Sequence, residues 1–85
     1  MTAITIYTSK MCGYCSAAKR LLQQKGADYE EIDVTFNPSA RQAMMARAGG
    51  GHTVPQIFIG DRHIGGCDDL HALEQNGELD SLLAG

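Results

Sequence analysis

The sequence has 85 residues, of which 44 % are hydrophobic and 20 % are charged, and its formal net charge is −3. Length and composition predict one folded domain over residues 1–85, because the charged residues are too few and too dispersed for a disordered chain. The acidic balance excludes a basic nucleic-acid footprint. No apolar run approaches the roughly 18 residues that a membrane-spanning helix needs, so no membrane contact is expected.

The three cysteines indicate the redox compartment in which the chain works. An odd number of cysteines does not suit a disulfide framework, and the N-terminal residues lack the basic and apolar regions of a signal peptide. We therefore expect a reducing, cytoplasmic location. In such a compartment a close pair of cysteines is more often catalytic or metal-binding than structural.

Hydrophobic periodicity predicts elements in the order βαβ, α, ββα. Alternating and β-rich segments indicate strands at residues 3–8, 29–34, 55–59 and 62–65. Apolar residues three or four positions apart indicate helices at residues 14–25, 38–48, 68–74 and 78–83. Gly26 suits the position after the first helix, and Asn37 and Pro38 suit the cap and the first position of the second.

This order predicts an α/β fold in which a four-stranded mixed sheet carries helices on both faces. A βαβ unit places two parallel strands in one sheet through a right-handed crossover, and a tight turn at Gly60 and Asp61 adds an antiparallel hairpin. Ligands of such sheets bind beyond the carboxyl ends of the strands. Cys12 follows the first strand at that edge, so the site is expected there.

The segment C-G-Y-C places Cys12 at the start of the first helix. Backbone N–H groups and the helix dipole favour a thiolate at this position, and the ammonium group of Lys10 adds positive charge nearby. Cys15 lies one turn further along the same face, within reach of a mixed disulfide on Cys12. We interpret Cys12 as a nucleophile and Cys15 as a more buried resolving thiol.

Two other interpretations of the cysteine pair are weaker. A structural disulfide does not suit a reducing compartment. A tetrahedral zinc site needs four ligands, and the remaining candidates are scattered along the chain: Cys67, His52, His63 and His71. No metal site is therefore predicted from the pair, and redox chemistry is favoured because C-x-x-C in a βαβ setting is typical of it.

Three segments together resemble one family: I-Y-T-S-K-M-C-G-Y-C at residues 6–15, T-V-P-Q-I-F-I-G at residues 53–60 and H-I-G-G-C-D-D-L at residues 63–70. In this order and spacing they are similar to the small dithiol glutaredoxins of the thioredoxin-like superfamily. Thioredoxin itself fits less well, since the chain has no Trp and carries Tyr14 where its C-G-P-C motif has proline. The resemblance implies a thioredoxin-like fold and a glutathione-dependent thiol–disulfide oxidoreductase.

The same resemblance implies where glutathione binds. Val54 and a cis Pro55 would present peptide groups to the Cys12 sulfur, as a neighbouring strand would. The start of the third helix would receive the γ-glutamyl carboxylate, while Asp68 pairs with the ammonium group. The implied glutathione-binding residues are Lys10, Tyr14, Thr53, Val54, Pro55, Gly66, Cys67 and Asp68, with Arg41 and Gln42 as further candidates on the second helix.

Several of these residues also have a purely structural interpretation. Pro55 also suits, as the weaker alternative, an ordinary trans residue that opens a strand. Asp68 suits the cap or first turn of a helix, and Lys10 and Arg41 suit solvated surface charges. Cys67 is better explained as a small buried thiol than as a third redox centre.

Gly13 departs from the proline that many dithiol glutaredoxins carry after the first cysteine. Within the family, such looser sites resemble those that hold a [2Fe–2S] cluster between two subunits, ligated by Cys12 of each chain and two glutathione thiolates. A cluster-binding or cluster-transfer module, as a bridged dimer, is therefore the alternative function. The main interpretation is a monomer that reduces protein disulfides and glutathione mixed disulfides, with glutathione as co-substrate.

Overall fold

The computed structural model describes residues 2–84, which form four strands and four helices. In chain order these elements are β1 (Ile4–Thr8), α1 (Gly13–Gln24), β2 (Glu30–Asp33), α2 (Pro38–Arg47), β3 (Gln56–Ile59), β4 (Arg62–Gly65), α3 (Cys67–Gln75) and α4 (Leu79–Ala84). Every predicted element is present, and the predicted boundaries are correct to within one residue or two. None of the helices in this part of the chain has the length and apolar character needed to cross a membrane.

The four strands form one mixed sheet in the order β2-β1-β3-β4. β1 runs parallel to β2, with Thr8 opposite Asp33, and antiparallel to β3. β3 and β4 form the predicted hairpin, with a register shift between Ile57 and Phe58. The sheet therefore has the predicted mixed topology, in which β1 leads into the segment that carries the cysteines and β3 follows the Thr53 loop.

Both faces of the sheet are covered, because the central strands carry apolar side chains on each side. On one face, Ile6 and Ile57 pack with residues of α1, α3 and α4, among them Leu22, Leu70 and Leu79. On the other face lies a smaller cluster, formed with α2 by Tyr7, Val34, Met44, Ala48 and Phe58. All four residues of β3 are buried, as the apolar pattern predicts for a central strand.

The ends of the helices are determined by local chemistry. Asn37 caps α2, its Oδ1 accepting a hydrogen bond from the Ala40 N–H at 3.1 Å, and Pro38 is the first helical residue, as predicted. Gly26 follows α1 with φ +68, a left-handed conformation that glycine adopts without steric cost. α3 begins at Cys67, one residue earlier than predicted, because Gly66 is its cap.

Candidate functional site

Cys12 caps the N-terminus of α1 at the carboxyl end of β1. Its Sγ accepts a hydrogen bond from the backbone N–H of Cys15 at 3.1 Å, in the position that a serine or aspartate oxygen takes in an ordinary cap. The side chain is half-buried. A sulfur in this position accepts an N–H donor at the positive end of the helix dipole, and it remains accessible to a substrate.

Cys15 differs sharply from Cys12 in its surroundings. Its side chain is 2 % exposed, on the face of α1 that packs against the sheet. Burial, followed by the hydrogen bond with Cys12, raises the pKa of the Cys15 thiol to about 12. Cys15 is therefore a protonated thiol near neutral pH, and the two cysteines are free thiols with unequal reactivity.

A groove of about 520 Å³ opens beside Cys12. The Val54–Pro55 peptide bond is cis, as the family resemblance predicts, and the Val54 carbonyl oxygen lies 3.9 Å from the Cys12 Sγ. The groove is lined by Tyr14, Thr53, Val54, Pro55, Gln56, His63, Gly65, Gly66, Cys67, Asp68 and Asp69. Main-chain groups of the Val54 loop and of the α3 start thus converge on one space next to the sulfur.

The far end of the groove is the N-terminus of α3. Asp69, the third residue of the helix, accepts a hydrogen bond from the Gly66 N–H at 3.0 Å and so caps the helix from within. Asp68 is the second helical residue and is exposed; it is a first-turn acid and not the cap. Backbone N–H groups in this first turn have no acceptor within the helix, so an anion would find donors here.

Cys67 is buried beneath this helix start and is not placed to react. Burial, together with the charges of Asp68 and Cys12, raises the pKa of the Cys67 thiol. Its Sγ lies 3.4 Å from the Nδ1 of His71, one turn further along α3. The thiol therefore packs as a small buried group, in agreement with the structural interpretation of this residue.

The structure places the predicted glutathione-binding residues in two locations. Seven of the eight line the groove, namely Tyr14, Thr53, Val54, Pro55, Gly66, Cys67 and Asp68. Lys10 lies on the other side of Cys12, with its Nζ 5.3 Å from the centre of the Phe36 ring. Arg41 donates to the His52 carbonyl oxygen at 3.1 Å, beside the Thr53 loop, and Gln42 is exposed on α2.

A second cavity, which we call the polar hollow, lies on the Lys10 side and measures about 450 Å³. It is lined by residues 8–13, by Cys15, Ser16 and Lys19 of α1, and by Glu31 and Asp33 of β2. Sequence analysis did not identify Lys19 or Glu31 as site residues. The sequence did contain one indication that Lys19 belongs to the site. Lys19 lies four positions after Cys15, which puts both side chains on one face of α1.

Gln56 and His63 are two further groove residues that sequence analysis missed. Gln56 is buried in β3, and its Oε1 lies 2.6 Å from the His63 Nε2 on the neighbouring strand. The His63 ring also stacks on Phe58, with ring centres 4.9 Å apart. A polar glutamine directly after Pro55, in an otherwise apolar strand, was the one sequence feature that marked this contact.

The sulfur and imidazole groups of residues 2–84 do not assemble a metal site. No group of three or more His, Cys, Asp or Glu side chains in this part of the chain is arranged to hold a metal ion. A [2Fe–2S] cluster takes four sulfur ligands, and Cys12 is the one thiol of this chain that lies half-exposed at the site. The residues present therefore do not fit a cluster held within a single chain.

Comparisons with known proteins give one consistent result. A family model described as Glutaredoxin matches residues 4–64. A glutaredoxin of Pseudomonas aeruginosa is 55 % identical over 84 residues, which are 99 % of each chain. The solution structure of glutaredoxin from Brucella melitensis is 54 % identical, with a TM-score of 0.85 over 98 % of this chain and 89 % of that one.

A more distant solved structure is the crystal structure of a buckwheat glutaredoxin–glutathione complex. It is 34 % identical and has a TM-score of 0.86 over 95 % of this chain and 76 % of that one. These similarities confirm the predicted thioredoxin-like fold, in which a four-stranded mixed sheet lies between helices.

Proposed function

The chain belongs to the glutaredoxin family and is a glutathione-dependent thiol–disulfide oxidoreductase, and from this premise we propose that Cys12 is its nucleophile and Cys15 its resolving thiol. The observation that carries this assignment is the cap of α1. The Cys12 Sγ accepts the Cys15 N–H at 3.1 Å, while the Cys15 thiol is buried with a pKa of about 12. The Cys12 sulfur is accessible to a substrate disulfide, whereas the buried Cys15 thiol reacts after a mixed disulfide has formed on Cys12.

The reaction proceeds by successive thiol–disulfide exchanges. The Cys12 thiolate attacks a substrate disulfide, forms a mixed disulfide and releases one substrate thiolate, which takes up a proton. Cys15 then loses its proton and attacks Cys12, forming the Cys12–Cys15 disulfide and releasing the second substrate thiol. Two glutathione molecules reduce this disulfide and leave as glutathione disulfide. When the substrate is a glutathionylated protein, glutathione itself resolves the glutathionylated Cys12.

Glutathione binding in the groove is supported by the kind of groups that line it. A peptide-like ligand pairs with main-chain groups irrespective of its side chains, and the Val54 carbonyl oxygen faces the Cys12 sulfur. The first turn of α3 offers N–H donors to the γ-glutamyl carboxylate, and Asp68 offers a partner for the ammonium group. Of the two predicted cationic helpers, Lys10 is exposed beside Cys12, and Arg41 lies next to the Thr53 loop.

The proposed partners are disulfide-containing and glutathionylated proteins, acted on by a monomeric domain in a reducing cytoplasm. The net charge of −3 supports no role with nucleic acids. The alternative function is a [2Fe–2S] module bridged by glutathione, and it rests on Gly13 alone. In that function each chain would supply Cys12 and glutathione the other two thiolates.

The test compares two substrates in one variant, Cys15→Ser. Reduction of a small glutathionylated substrate needs Cys12 and incoming glutathione only, so this activity is expected to survive. Reduction of an intramolecular protein disulfide is expected to fall sharply, because Cys12 stays trapped in the mixed disulfide. Cys12→Ser is the matched control and is expected to lose both activities, since a hydroxyl is not ionised near neutral pH.

Three results would contradict the assignment. Equal retention of both activities in Cys15→Ser would mean that the dithiol route is not used. Equal losses on both substrates in Cys15→Ser would mean that Cys15 shapes the site and does not resolve the mixed disulfide. Residual disulfide reduction by Cys12→Ser at a substantial rate would mean that Cys12 is not the nucleophile.

A further inference from the structure

The polar hollow gives Cys15 surroundings that the reaction described above does not use. Cys15 lines this hollow and does not line the groove, so the residue borders a cavity distinct from the proposed glutathione site. The ionisable groups around the hollow, apart from the cysteines, are Lys10, Lys19, Glu31 and Asp33. Lys19 and Glu31 hold each other in place through an ion pair.

Lys19 is held on the same face of α1 as Cys15. It lies four residues after Cys15, one helical turn away, and its Nζ lies 3.0 Å from the Glu31 Oε2. Glu31 is itself held by the Thr8 hydroxyl, which donates to the same oxygen at 2.7 Å and is 2 % exposed. These hydrogen bonds, from Thr8 first and then from Lys19, lower the pKa of Glu31, so the anchor stays ionised at neutral pH.

The resolving step requires the ionised form of Cys15. Cys15 must lose its proton and attack Cys12, while the electron pair of the breaking Cys12–substrate bond moves to the leaving sulfur, which is then protonated. Burial opposes the thiolate by raising the pKa of Cys15, while a backbone hydrogen bond at Ser9 and, to a smaller extent, the Lys19 ammonium oppose that rise. A fixed cation beside the hollow is therefore placed to favour the second step of the reaction without contacting the substrate.

We propose that Lys19, anchored by Glu31 and Thr8, is a positioning residue for the resolving step, in which its ammonium group favours the Cys15 thiolate that attacks the mixed disulfide on Cys12. This inference rests on the proposed function and assigns it a residue outside the groove. A cation that acts in this way affects the second exchange and leaves the first attack by Cys12 nearly unchanged.

The two steps are separated by rapid mixing of the reduced protein with the chromogenic disulfide dithiobis(nitrobenzoate). Attack by Cys12 releases one coloured thiolate, and attack by Cys15 on the resulting mixed disulfide releases a second. The neutral variants Lys19→Met and Lys19→Gln are expected to slow the second release about threefold, because a rise of about one unit in the thiol pKa lowers the thiolate fraction about tenfold and raises its nucleophilicity about threefold. The first release is expected to change less than about twofold, and Lys19→Arg to restore the second.

Lys25→Met is the matched control. Lys25 is equally paired, to Glu74 at 2.9 Å and Asp80 at 2.8 Å, but it lies at the opposite end of α1. Both releases are expected to keep their rates in this variant. The Cys15→Ser protein identifies the second release, because it lacks the thiol that produces it.

Three outcomes would overturn the inference. They are an unchanged second release in the neutral Lys19 variants, equal slowing of both releases, and loss of folding in both neutral variants, which would assign Lys19 to stability. Failure of the proposed function is distinguishable, because it would appear as a missing first release in the unmodified protein or as a second release retained by Cys15→Ser.

Discussion

The groove and the polar hollow share no lining residue, and they present different kinds of chemical group. The groove is formed by segments far apart in the sequence, and it presents main-chain groups at Val54 and at the start of α3. The polar hollow is formed by the β1–α1 connection, α1 and the adjacent strand β2, and it presents charged side chains such as Lys19 and Glu31.

This difference means that the groove suits ligand recognition, whereas the polar hollow influences the ionisation of the thiols. Main-chain groups bind a peptide-like ligand through a fixed pattern of donors and acceptors, so a groove of this kind suits one constant ligand. Charged side chains act through their field on the protonation of nearby thiols. Cys12 lines the polar hollow and faces Val54 across the groove, whereas Cys15 lines the polar hollow alone. Changes in the groove should therefore affect ligand binding, whereas changes in the polar hollow should affect thiol ionisation.

The largest expected effect is the difference in alkylation between the two thiols. At neutral pH iodoacetamide is expected to label Cys12 at least about a hundredfold faster than Cys15, because a buried thiol with a pKa of about 12 is almost wholly protonated. Cleavage after Lys10 and Lys19 gives one peptide that contains both cysteines, and fragment ions in mass spectrometry distinguish the two labels.

The pH dependence of the Cys15 labelling rate is a second test of this difference. The pKa of Cys15 is raised, so its labelling rate is expected to rise about tenfold per pH unit throughout the accessible alkaline range. Comparable labelling of the two cysteines at neutral pH would contradict the division of roles between the two sides of Cys12.

A substitution at Gly65 is expected to damage the groove and leave the polar hollow intact. Gly65 has φ +115, and an added Cβ would overlap the Asp69 carboxylate that caps α3. Gly65→Ala is therefore expected to lower the free energy of unfolding by about 2–3 kcal/mol. We also expect a higher KM for the glutathionylated substrate, while the second thiolate release by Cys15 keeps its rate.

Gly13→Ala is the matched control, because an added Cβ at Gly13 meets no atom within 4 Å and its φ is not positive. This variant is expected to be as stable as the parent, or more stable by up to about 1 kcal/mol. Urea unfolding measures both variants. Equal stability of the two alanine variants would show that the α3 start tolerates a side chain at Gly65.

Most of the fold could be predicted from the sequence because local signals and the long-range topology agree. A few neighbouring residues determine each of three features: the cap at Asn37, the glycine after α1, and strand β3, which is apolar on both faces. The start of α3 was placed one residue late, since Asp68 and Asp69 both suit a first turn. Only the hydrogen bond from the Gly66 N–H to Asp69 distinguishes them.

The two sides of the site differ in how far the sequence predicted them. Most groove residues lie in family-like segments, and seven of the eight predicted ones do line the groove. The polar hollow depends on a contact between α1 and β2, since Lys19 reaches Glu31 only once the parallel pairing of β1 and β2 sets the register. A half-buried lysine and an exposed glutamate carry no local signal of such a contact, so it was missed.

The smallest expected effect concerns the anchor of the polar hollow, through the variant Glu31→Gln. The hydrogen bond from Thr8, and then that from Lys19, lowers the pKa of Glu31 in the folded protein. This carboxylate therefore adds stability above its unfolded pKa of about 4.3, and the contribution is lost as the pH falls through the lower folded value. Because the Glu31 side chain is 37 % exposed, we expect the free energies of unfolding of Glu31→Gln and the parent to differ by less than about 1 kcal/mol at pH near 7.

Urea unfolding near pH 7 and near pH 3 should show this difference shrinking in acid. The control variant Glu30→Gln, at an exposed position of the same strand, should show no such trend. A difference that persisted in acid would mean that Glu31 stabilises the fold by packing and not as the charged anchor of Lys19.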